Sequence, residues 1–392
     1  MVVRSCAVEG VVMRPDPAFW RGKRVLLTGH TGFKGAWLAI WLHRLGAHVV
    51  GAALAPATDP SLFALAQVSA LLEHHECDVR DPVALAALVR RARPEIVLHL
   101  AAQALVRPGY RAPLQTFSTN VMGTAHLLDA VRDQPGVRAV VVVTTDKVYQ
   151  DHASCYPHRE DDALGGHDPY SASKAAAELV VACYRDSYLR DNGVAVASAR
   201  AGNVIGGGDW AQDRLLPDAF RAWSRDQTLE VRRPASVRPW QHVLEPLAGY
   251  LRLAEKLWQD PGLAGAYNFG PDTAEVITVG ELVQLARNAF GRGHSAYGTG
   301  ATGPHETGAL TLEVARARQV LGLRPCWPVL QAVGRTMDWY RRHGNGSTAR
   351  GLCLADINDY ASESGVHARP APALRVPPVR DAAPAMAALG AA

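Results

Sequence analysis

Residues 23–45 read KRVLLTGHTGFKGAWLAIWLHRL. The stretch Lys23–Thr28 is a short apolar run that ends at a glycine, which is typical of a buried strand followed by a tight turn. Apolar side chains then recur with the spacing of one helical face, which predicts an amphipathic helix over Gly35–Leu45. The side chains of that face are Leu38, Trp41, Leu42 and Leu45.

Strand and helix patterns continue to alternate after this unit. We predict strands over His48–Leu54, Ile96–Leu100, Ala139–Thr144 and Val194–Arg200, and helices over Pro82–Arg91, Thr116–Val131 and Ser171–Leu189. Unbroken runs of β-branched residues such as Val140–Val143 suit strands that are buried on both faces. The fold class predicted is therefore α/β, a doubly wound parallel sheet of the Rossmann type, with a smaller mixed α/β carboxy-terminal region that binds substrate.

The predicted domains follow from where this alternation starts, weakens and stops. Residues 1–18 form a flexible leader, with Met1 and Met13 both open as the start, and 19–205 form a dinucleotide-binding domain with a return at 240–265. Residues 206–239 and 266–361 form the substrate-binding domain. The Ala/Pro-rich stretch 362–392 offers little for a core, and we expect a disordered tail.

Composition excludes several classes of protein. The chain has 392 residues with 41 Lys+Arg against 37 Asp+Glu, a nearly balanced charge of +4, and its arginines are scattered, so no nucleic-acid partner is expected. No run approaches the roughly 20 apolar residues of a membrane span, and the first residues do not resemble a signal peptide. The six cysteines form no C-x-x-C pair, which predicts no metal site and reduced thiols in the cytoplasm.

The turn after the first strand carries the first chemical signal, the glycines at 29, 32 and 35. Glycines here allow a tight turn and the close approach of a pyrophosphate to the helix amino terminus, so we expect the loop to bind a dinucleotide. The acid that usually ends the second strand of an NAD site is missing, and Asp59 follows several residues later. NAD is expected. NADP stays open because His30 and Lys34, which could face a 2′-phosphate, also lie in the loop. Asp78 is a candidate for the adenine amino group, or else a loop acid.

The second signal is the sequence YSASK at 170–174. The chain has five lysines and 11 tyrosines, so a Tyr followed by Lys at four residues would arise by chance well under once. On a helix the two side chains share a face, and the ammonium of Lys174 would lower the pKa of the Tyr170 phenol, which then removes a proton from an alcohol. Thr144 and Thr145 end the preceding strand, where a hydroxyl could hold the substrate oxygen.

With the sequences AAQ at 101–103 and Asn120, these motifs resemble the extended short-chain dehydrogenase/reductase family, from about Phe19 to Tyr360. The resemblance implies an enzyme that acts on a nucleotide sugar and retains its nicotinamide cofactor. It also implies a homodimer, or a tetramer, formed through Thr116–Val131 and Ser171–Leu189. The cofactor-binding residues it implies are Gly29, His30, Gly32, Phe33, Lys34, Gly35, Asp78, Ala101, Ala102, Gln103, Asn120, Tyr170 and Lys174.

The reaction depends on Asp146 and Lys147, which directly follow Thr145. In this family 4,6-dehydratases carry an acid and a second acid–base group at this place, and 4-epimerases do not. The sequence Asp-Lys resembles the branch that dehydrates CDP-glucose, which implies catalytic roles for Thr145, Asp146, Lys147, Tyr170 and Lys174. We expect Asp146 to be the acid, whereas Lys147 is either a neutral base or a charged group that stabilises the enolate. A 4-epimerase, a dehydratase of dTDP- or GDP-sugars and, more remotely, a non-catalytic dinucleotide-binding module stay open.

Substrate binding is expected in the carboxy-terminal half. Asn203 in RAGNVIGGGDW and Arg238 and Gln241 in RPWQHV match family positions that contact the substrate, and Arg214 is a further candidate. The alternative is that Asn203 caps a turn and the arginines lie on a solvated face.

Overall fold

The computed structural model describes residues 14–150, 156–298 and 310–363. Its strands are β1 Arg24–Thr28, β2 His48–Ala53, β3 Glu73–Glu76, β4 Ile96–His99, β5 Ala139–Val143, β6 Ala195–Ala201, β7 Val204–Ile205, β8 Thr228–Val231, β9 Val237–Arg238, β10 Gln241–His242, β11 Ala266–Phe269, β12 Ile277–Thr278 and β13 His294–Tyr297. Its helices are α1 Pro17–Trp20, α2 Phe33–Arg44, α3 Leu62–Leu65, α4 Pro82–Ala92, α5 Val106–Arg111, α6 Pro113–Phe117, α7 Gly123–Arg132, α8 Pro169–Tyr184, α9 Leu215–Ser224, α10 Leu244–Gln259, α11 Val279–Phe290, α12 Ala315–Leu321, α13 Val329–Gly344 and α14 Ala349–Glu363.

A seven-stranded parallel sheet in the order β11-β6-β5-β4-β1-β2-β3 forms the centre of the molecule. Side chains of each strand alternate between two cores: Leu27 packs in one with α2, α10 and α14, and Leu26 packs in the other with α4, α7 and α8. Both faces of the sheet are therefore covered by helices, which confirms the predicted doubly wound fold.

The predicted helix over Thr116–Val131 proves to be α6, a π-helical turn at Ser118–Met122 and α7 in succession. The helix predicted over Ser171–Leu189 likewise ends in a π-turn, after α8 has begun earlier, at Pro169. Asp168 caps α8 by accepting the amides of Tyr170 and Ser171, and this cap fixes where the helix begins.

The chain returns to the main sheet further along than predicted. Helix α10 packs against β5 and β6, and β11 then pairs with β6 as the outermost strand, so the return extends to Phe269 and not only to residue 265. Short two-stranded sheets, β7 with β10, β8 with β13 and β9 with β12, form the rest of the carboxy-terminal region with α9, α11 and α13.

Both predicted ends need correction where the structure describes them. In the predicted leader, the amide of Asp16 donates to Glu255 at 2.7 Å, and Arg14 donates to the carbonyl of Ser362 at 2.9 Å. Helix α14 continues through Glu363, so the first two residues of the predicted tail are helical. Residues 1–13 and 364–392, on which the rest of these two predictions falls, lie outside the described residues. None of the helices described is both long and apolar enough to cross a membrane.

Candidate active site

A cleft of roughly 1150 Å³ opens at the carboxyl ends of β1, β4, β5 and β6, and residues of the carboxy-terminal region form its far wall. Parallel strands of an open α/β sheet present their carboxyl ends to ligands at this edge. Most of the predicted site residues line the cleft, namely Gly29, Gly32, Phe33, Lys34, Gly35, Asp78, Ala101, Ala102, Gln103, Thr145, Asp146, Lys147, Tyr170, Lys174, Asn203, Arg214 and Arg238.

The glycine loop requires glycine at two of its positions. Gly29 has φ +75°, and a Cβ there would lie 2.6 Å from the amide nitrogen of Ala101. A Cβ on Gly35 would overlap the carbonyl oxygen of Gly29. The tight turn brings the first turn of α2 to the cleft, where its amides have no acceptor within the helix. This arrangement fits the pyrophosphate of a dinucleotide.

Asp78 lies further along the cleft, and the guanidinium of Arg80 holds it. Arg80 donates from its Nε to Oδ1 at 3.0 Å and from its Nη2 to Oδ2 at 2.5 Å, and this pairing lowers the pKa of Asp78. A carboxylate fixed in this way can accept a hydrogen bond from an adenine amino group. A dinucleotide would therefore extend from Asp78 across the glycine loop to Tyr170.

Three residues predicted to bind ligands do not line the cleft. His30 is buried under the glycine loop, where its Nε2 lies 2.7 Å from Nδ1 of His74, and burial lowers its pKa to about 4, so it offers no charge to a phosphate. Asn120 is buried and bonds the backbone of Gln103 and the hydroxyl of Ser173. Gln241 donates to the carbonyl of Phe269 at 2.9 Å. All three stabilise the walls of the site.

Tyr170 and Lys174 share one face of α8, as predicted from their spacing, but the electrostatics differ from the prediction. Nζ of Lys174 donates to the carbonyl of Val143 at 3.0 Å, and burial lowers the pKa of Lys174 to about 8. Burial raises the pKa of Tyr170, and the groups that pull it down are the hydroxyl of Thr145 and the guanidinium of Arg214. Lys174 therefore fixes the end of β5 beside the phenol.

Asp146 and Lys147 follow the end of β5 and face the same part of the cleft. Asp146 is buried, and its Oδ1 accepts from the hydroxyl of Thr145 at 3.0 Å, whereas its Oδ2 has no hydrogen-bond partner among the described residues. Burial raises the pKa of Asp146, and Lys147 is the main group that opposes this rise. Burial lowers the pKa of Lys147, against the effect of Asp146. The two groups therefore have properties suited to an acid and a base.

The sequence interpretation missed a buried ion pair beside the end of β5. Glu178 accepts from Arg200 at 2.9 Å, from Ser198 at 2.6 Å and from Thr144 at 2.5 Å, so Thr144 faces this network and Thr145 faces the cleft. Arg200 also donates to the hydroxyl of Tyr149 at 3.0 Å. Glu178 lies one helical turn after Lys174, and this spacing could have identified Glu178 as a site residue from the sequence.

The wall of the cleft formed by the carboxy-terminal region carries several arginines. Arg238 is buried and donates to the carbonyl of Val237 at 2.8 Å, and Arg214 donates to the carbonyl of Ala104 at 3.4 Å. Asn203 accepts the amide of Gln241 through its backbone carbonyl, so its side chain is not needed for that contact. Among the described residues no cluster of three or more His, Cys, Asp and Glu residues could hold a metal ion.

The chain is similar to known proteins both in sequence and in structure. The model of the NAD dependent epimerase/dehydratase family matches residues 25–270. A CDP-glucose 4,6-dehydratase of Salmonella typhimurium is 43% identical over 353 residues, 88% of this chain and 98% of the relative. A dTDP-glucose 4,6-dehydratase of Streptomyces antibioticus is 32% identical over 67% of this chain and 76% of its own. The solved structure of MoeE5 in complex with UDP-glucose and NAD has a TM-score of 0.69 and 26% identity, and covers 82% of this chain and 99% of that one.

Proposed function

Because the chain belongs to the NAD dependent epimerase/dehydratase family, we propose that it is a nucleotide-sugar 4,6-dehydratase that converts CDP-glucose to CDP-4-keto-6-deoxyglucose. The observation that carries this proposal is that the buried Asp146 and the partly buried Lys147 line the same cleft as Tyr170. An epimerase does not eliminate water and has no use for a second acid–base pair. The identity to the Salmonella enzyme over nearly its full length supports CDP-glucose as the substrate.

The cofactor is NAD, which would be held by the glycine loop, Asp78, the backbone at 101–103 and the helix that carries Tyr170 and Lys174. When bound, it would supply a hydride acceptor for carbon 4 of the sugar and a hydride donor for carbon 6, with a proton returned to carbon 5, so none would be consumed. His30, which is neutral near pH 7, provides no cation for a 2′-phosphate, and this favours NAD over NADP.

Oxidation at carbon 4 requires the 4-hydroxyl to lose its proton. Tyr170, once ionised, accepts that proton while hydride leaves carbon 4, and the carbon–oxygen bond becomes a carbonyl. Thr145, whose hydroxyl lowers the pKa of the Tyr170 phenol, would hold the same sugar oxygen. The resulting ketone makes the hydrogen on carbon 5 acidic.

Elimination then uses the pair after Thr145. A base removes the proton of carbon 5, the electron pair forms the double bond between carbons 5 and 6, and the bond from carbon 6 to its oxygen breaks. Asp146 donates its proton to that oxygen, which leaves as water. Because burial raises its pKa, Asp146 keeps this proton to a higher pH than an exposed aspartate does. We assign the base to Lys147, since burial favours its neutral form.

The test is to incubate the purified protein with NAD and, separately, with CDP-glucose, dTDP-glucose, GDP-mannose and UDP-glucose, and to follow the sugars by mass spectrometry. We expect the loss of one water from CDP-glucose alone. Loss of water from another sugar nucleotide would correct the substrate, a product of unchanged mass would indicate a 4-epimerase, and no reaction in any tube would contradict the assignment as a dehydratase.

For the assembly we propose a homodimer in the cytoplasm. Several apolar side chains on the adjacent helical segments that include α6 and α8 are exposed, and a second copy of the chain would cover them. They are Leu114 (84% exposed), Phe117 (38%), Met122 (48%), Leu179 (63%) and Tyr188 (44%). The cysteines among the described residues are free thiols, which supports a reducing compartment.

A further inference from the structure

The side chain of Lys34 extends away from the pyrophosphate loop that carries it. Lys34 lies in the first turn of α2, and its Nζ donates to the phenol oxygen of Tyr250 at 3.4 Å and lies 5.8 Å from the centre of that ring. Tyr250 is fully buried on α10, which packs against β5 and β6. The ammonium therefore lies on the side of the cleft where β5 ends.

A short series of contacts joins Tyr250 to Asp146. The ring of Tyr250 packs edge-on against Phe269 at 5.6 Å, and the carbonyl of Phe269 accepts the amide of Gly202 at 3.4 Å. A Cβ on Gly202 would lie 3.2 Å from Oδ2 of Asp146, the buried oxygen that has no hydrogen-bond partner among the described residues. Lys34, Tyr250 and Asp146 thus belong to one wall of the reaction centre.

Charged groups from several elements act on Lys34. Burial lowers its pKa to about 7, assisted by Arg214, which precedes α9, and by Lys174 of α8, whereas Asp146 raises it. The effect is mutual, because the Lys34 ammonium also opposes the rise in the pKa of Asp146, together with Lys147 and Arg238. The proton occupancy of each of these two groups therefore depends on that of the other.

We propose that Lys34, held by Tyr250, is a positioning residue for the elimination step. Its ammonium sets the protonation of Asp146 and opposes the charge left after Asp146 has given up its proton. This inference rests on the proposed dehydration and assigns Lys34 to the reaction centre and not to the pyrophosphate. The neighbouring backbone amides of α2 would still bind the pyrophosphate.

The first test compares Lys34→Met with the charge-conserving Lys34→Arg in the pH profile of CDP-glucose dehydration. Without the cation the protonated form of Asp146 is favoured, so the limb of the profile that reports Asp146 should move to higher pH by about one unit in the Met variant. The limb of the Arg variant should stay in place, and both should bind NAD within about twofold of the wild type. An unmoved limb in the Met variant, with NAD affinity weakened tenfold or more, would make Lys34 a pyrophosphate ligand and overturn the proposal.

The second test needs no substrate, so it separates this inference from the proposed function. The chain has five lysines, and reductive methylation with ¹³C-formaldehyde gives each an NMR signal that can be titrated. Lys34→Arg identifies the signal of Lys34. Asp146→Asn should lower its apparent pKa by about one unit, whereas the control Asp338→Asn on α13 should leave it unchanged. An equal titration in both variants would refute the coupling even in an active dehydratase, and a shift in an inactive protein would count against the proposed reaction alone.

Discussion

Tyr170 and Asp146 both have raised pKa values, and these have opposite consequences for activity. The phenol must lose its proton before carbon 4 can be oxidised, and the carboxyl must keep its proton until water leaves. The active form therefore has an ionised phenol and a protonated carboxyl, and its population rises up to the lower of the two pKa values and falls beyond the higher. We expect a bell-shaped profile whose two limbs report these groups.

Replacement of Tyr170 by Phe removes the proton acceptor and leaves the ring that packs in the cleft. We expect turnover of CDP-glucose to fall by about 10² to 10⁴-fold, the usual contribution of a general base, with NAD binding retained. Product formation by mass spectrometry and NAD binding by fluorescence measure the two effects. Tyr297→Phe, at a half-exposed position on β13, is the control and should be fully active. Turnover within about tenfold of the wild type would remove Tyr170 from its role.

Replacement of Asp146 by Asn should separate the two halves of the reaction. Oxidation at carbon 4 proceeds and water loss slows, so reduced cofactor should accumulate and be visible by its absorbance. An absence of reduced cofactor together with normal turnover would contradict the role as acid.

The same variant has a consequence for stability. Because the pKa of Asp146 is higher in the folded than in the unfolded state, the wild type gains stability from its proton at low pH and loses it as the pH rises through the folded value. Urea unfolding at several pH values should show this loss in the wild type and a smaller dependence in Asp146→Asn.

At the scale of elements, the first turn of α2 has no space for a side chain at Gly35. A Cβ on Gly35 has no space beside the carbonyl oxygen of Gly29, whereas Gly334 on α13 has open space around it. Gly35→Ala should therefore lower the free energy of unfolding by about 1 to 3 kcal/mol and weaken NAD binding. Gly334→Ala should be neutral or stabilise by up to about 1 kcal/mol. Urea unfolding and NAD titration would measure both, and equal behaviour of the two variants would contradict the steric argument.

Helix α14 is held in place by polar contacts that could not be predicted from its sequence. Tyr360 donates to Glu245 at 2.7 Å, Trp327 donates to Glu363 at 2.7 Å, and Arg335 bonds both Asp359 and Glu363. A chain that ends at Glu363 should retain activity and its thermal midpoint. A chain that ends at Ser347 lacks the helix and should lose several degrees of thermal stability or fail to fold. Loss of activity in the chain that ends at Glu363 would show that residues 364–392 contribute to the enzyme.

The elements were predictable because their patterns are local. The strand of Lys23–Thr28 and the helix after it need only apolar periodicity and a glycine turn, and both match the structure within two residues. The direction of a side chain depends on distant neighbours, which explains the errors at His30 and Asn120. Glu178 and Arg200, separated by 22 residues, form their ion pair only after α8 has packed on β6.

At the scale of the whole molecule, the seven-stranded sheet and the cleft at its edge could be inferred from the alternation of strands and helices. The position of β11 could not be inferred. This strand has four residues and follows a long insertion, and its sequence does not indicate which sheet it joins. The proposed roles of Asp146 and Lys147 come from the sequence around them, whereas the burial that changes the pKa of both groups required the folded cleft.

The proposed dimer is tested on the helical segments that include α6 and α8. A charged residue at Leu179, which is 63% exposed, would be buried against the second copy, so Leu179→Glu should give monomers in sedimentation velocity. Leu330→Glu, at a 65% exposed position on α13, is the control and should sediment as the wild type does. A wild-type monomer, or a Leu179→Glu dimer of unchanged stability, would contradict this interface.

The late pairing of β11 with β6 has a consequence for biosynthesis. Until the ribosome has made residues 266–269, the buried strand β6 has a free edge, and the nascent chain exposes its unpaired backbone groups. Polypeptides released prematurely, anywhere between residue 202 and residue 265, would carry this open edge permanently. Such fragments would be expected to aggregate by adding strands to one another, so a messenger that stalls in this stretch would yield insoluble protein and not a smaller working domain.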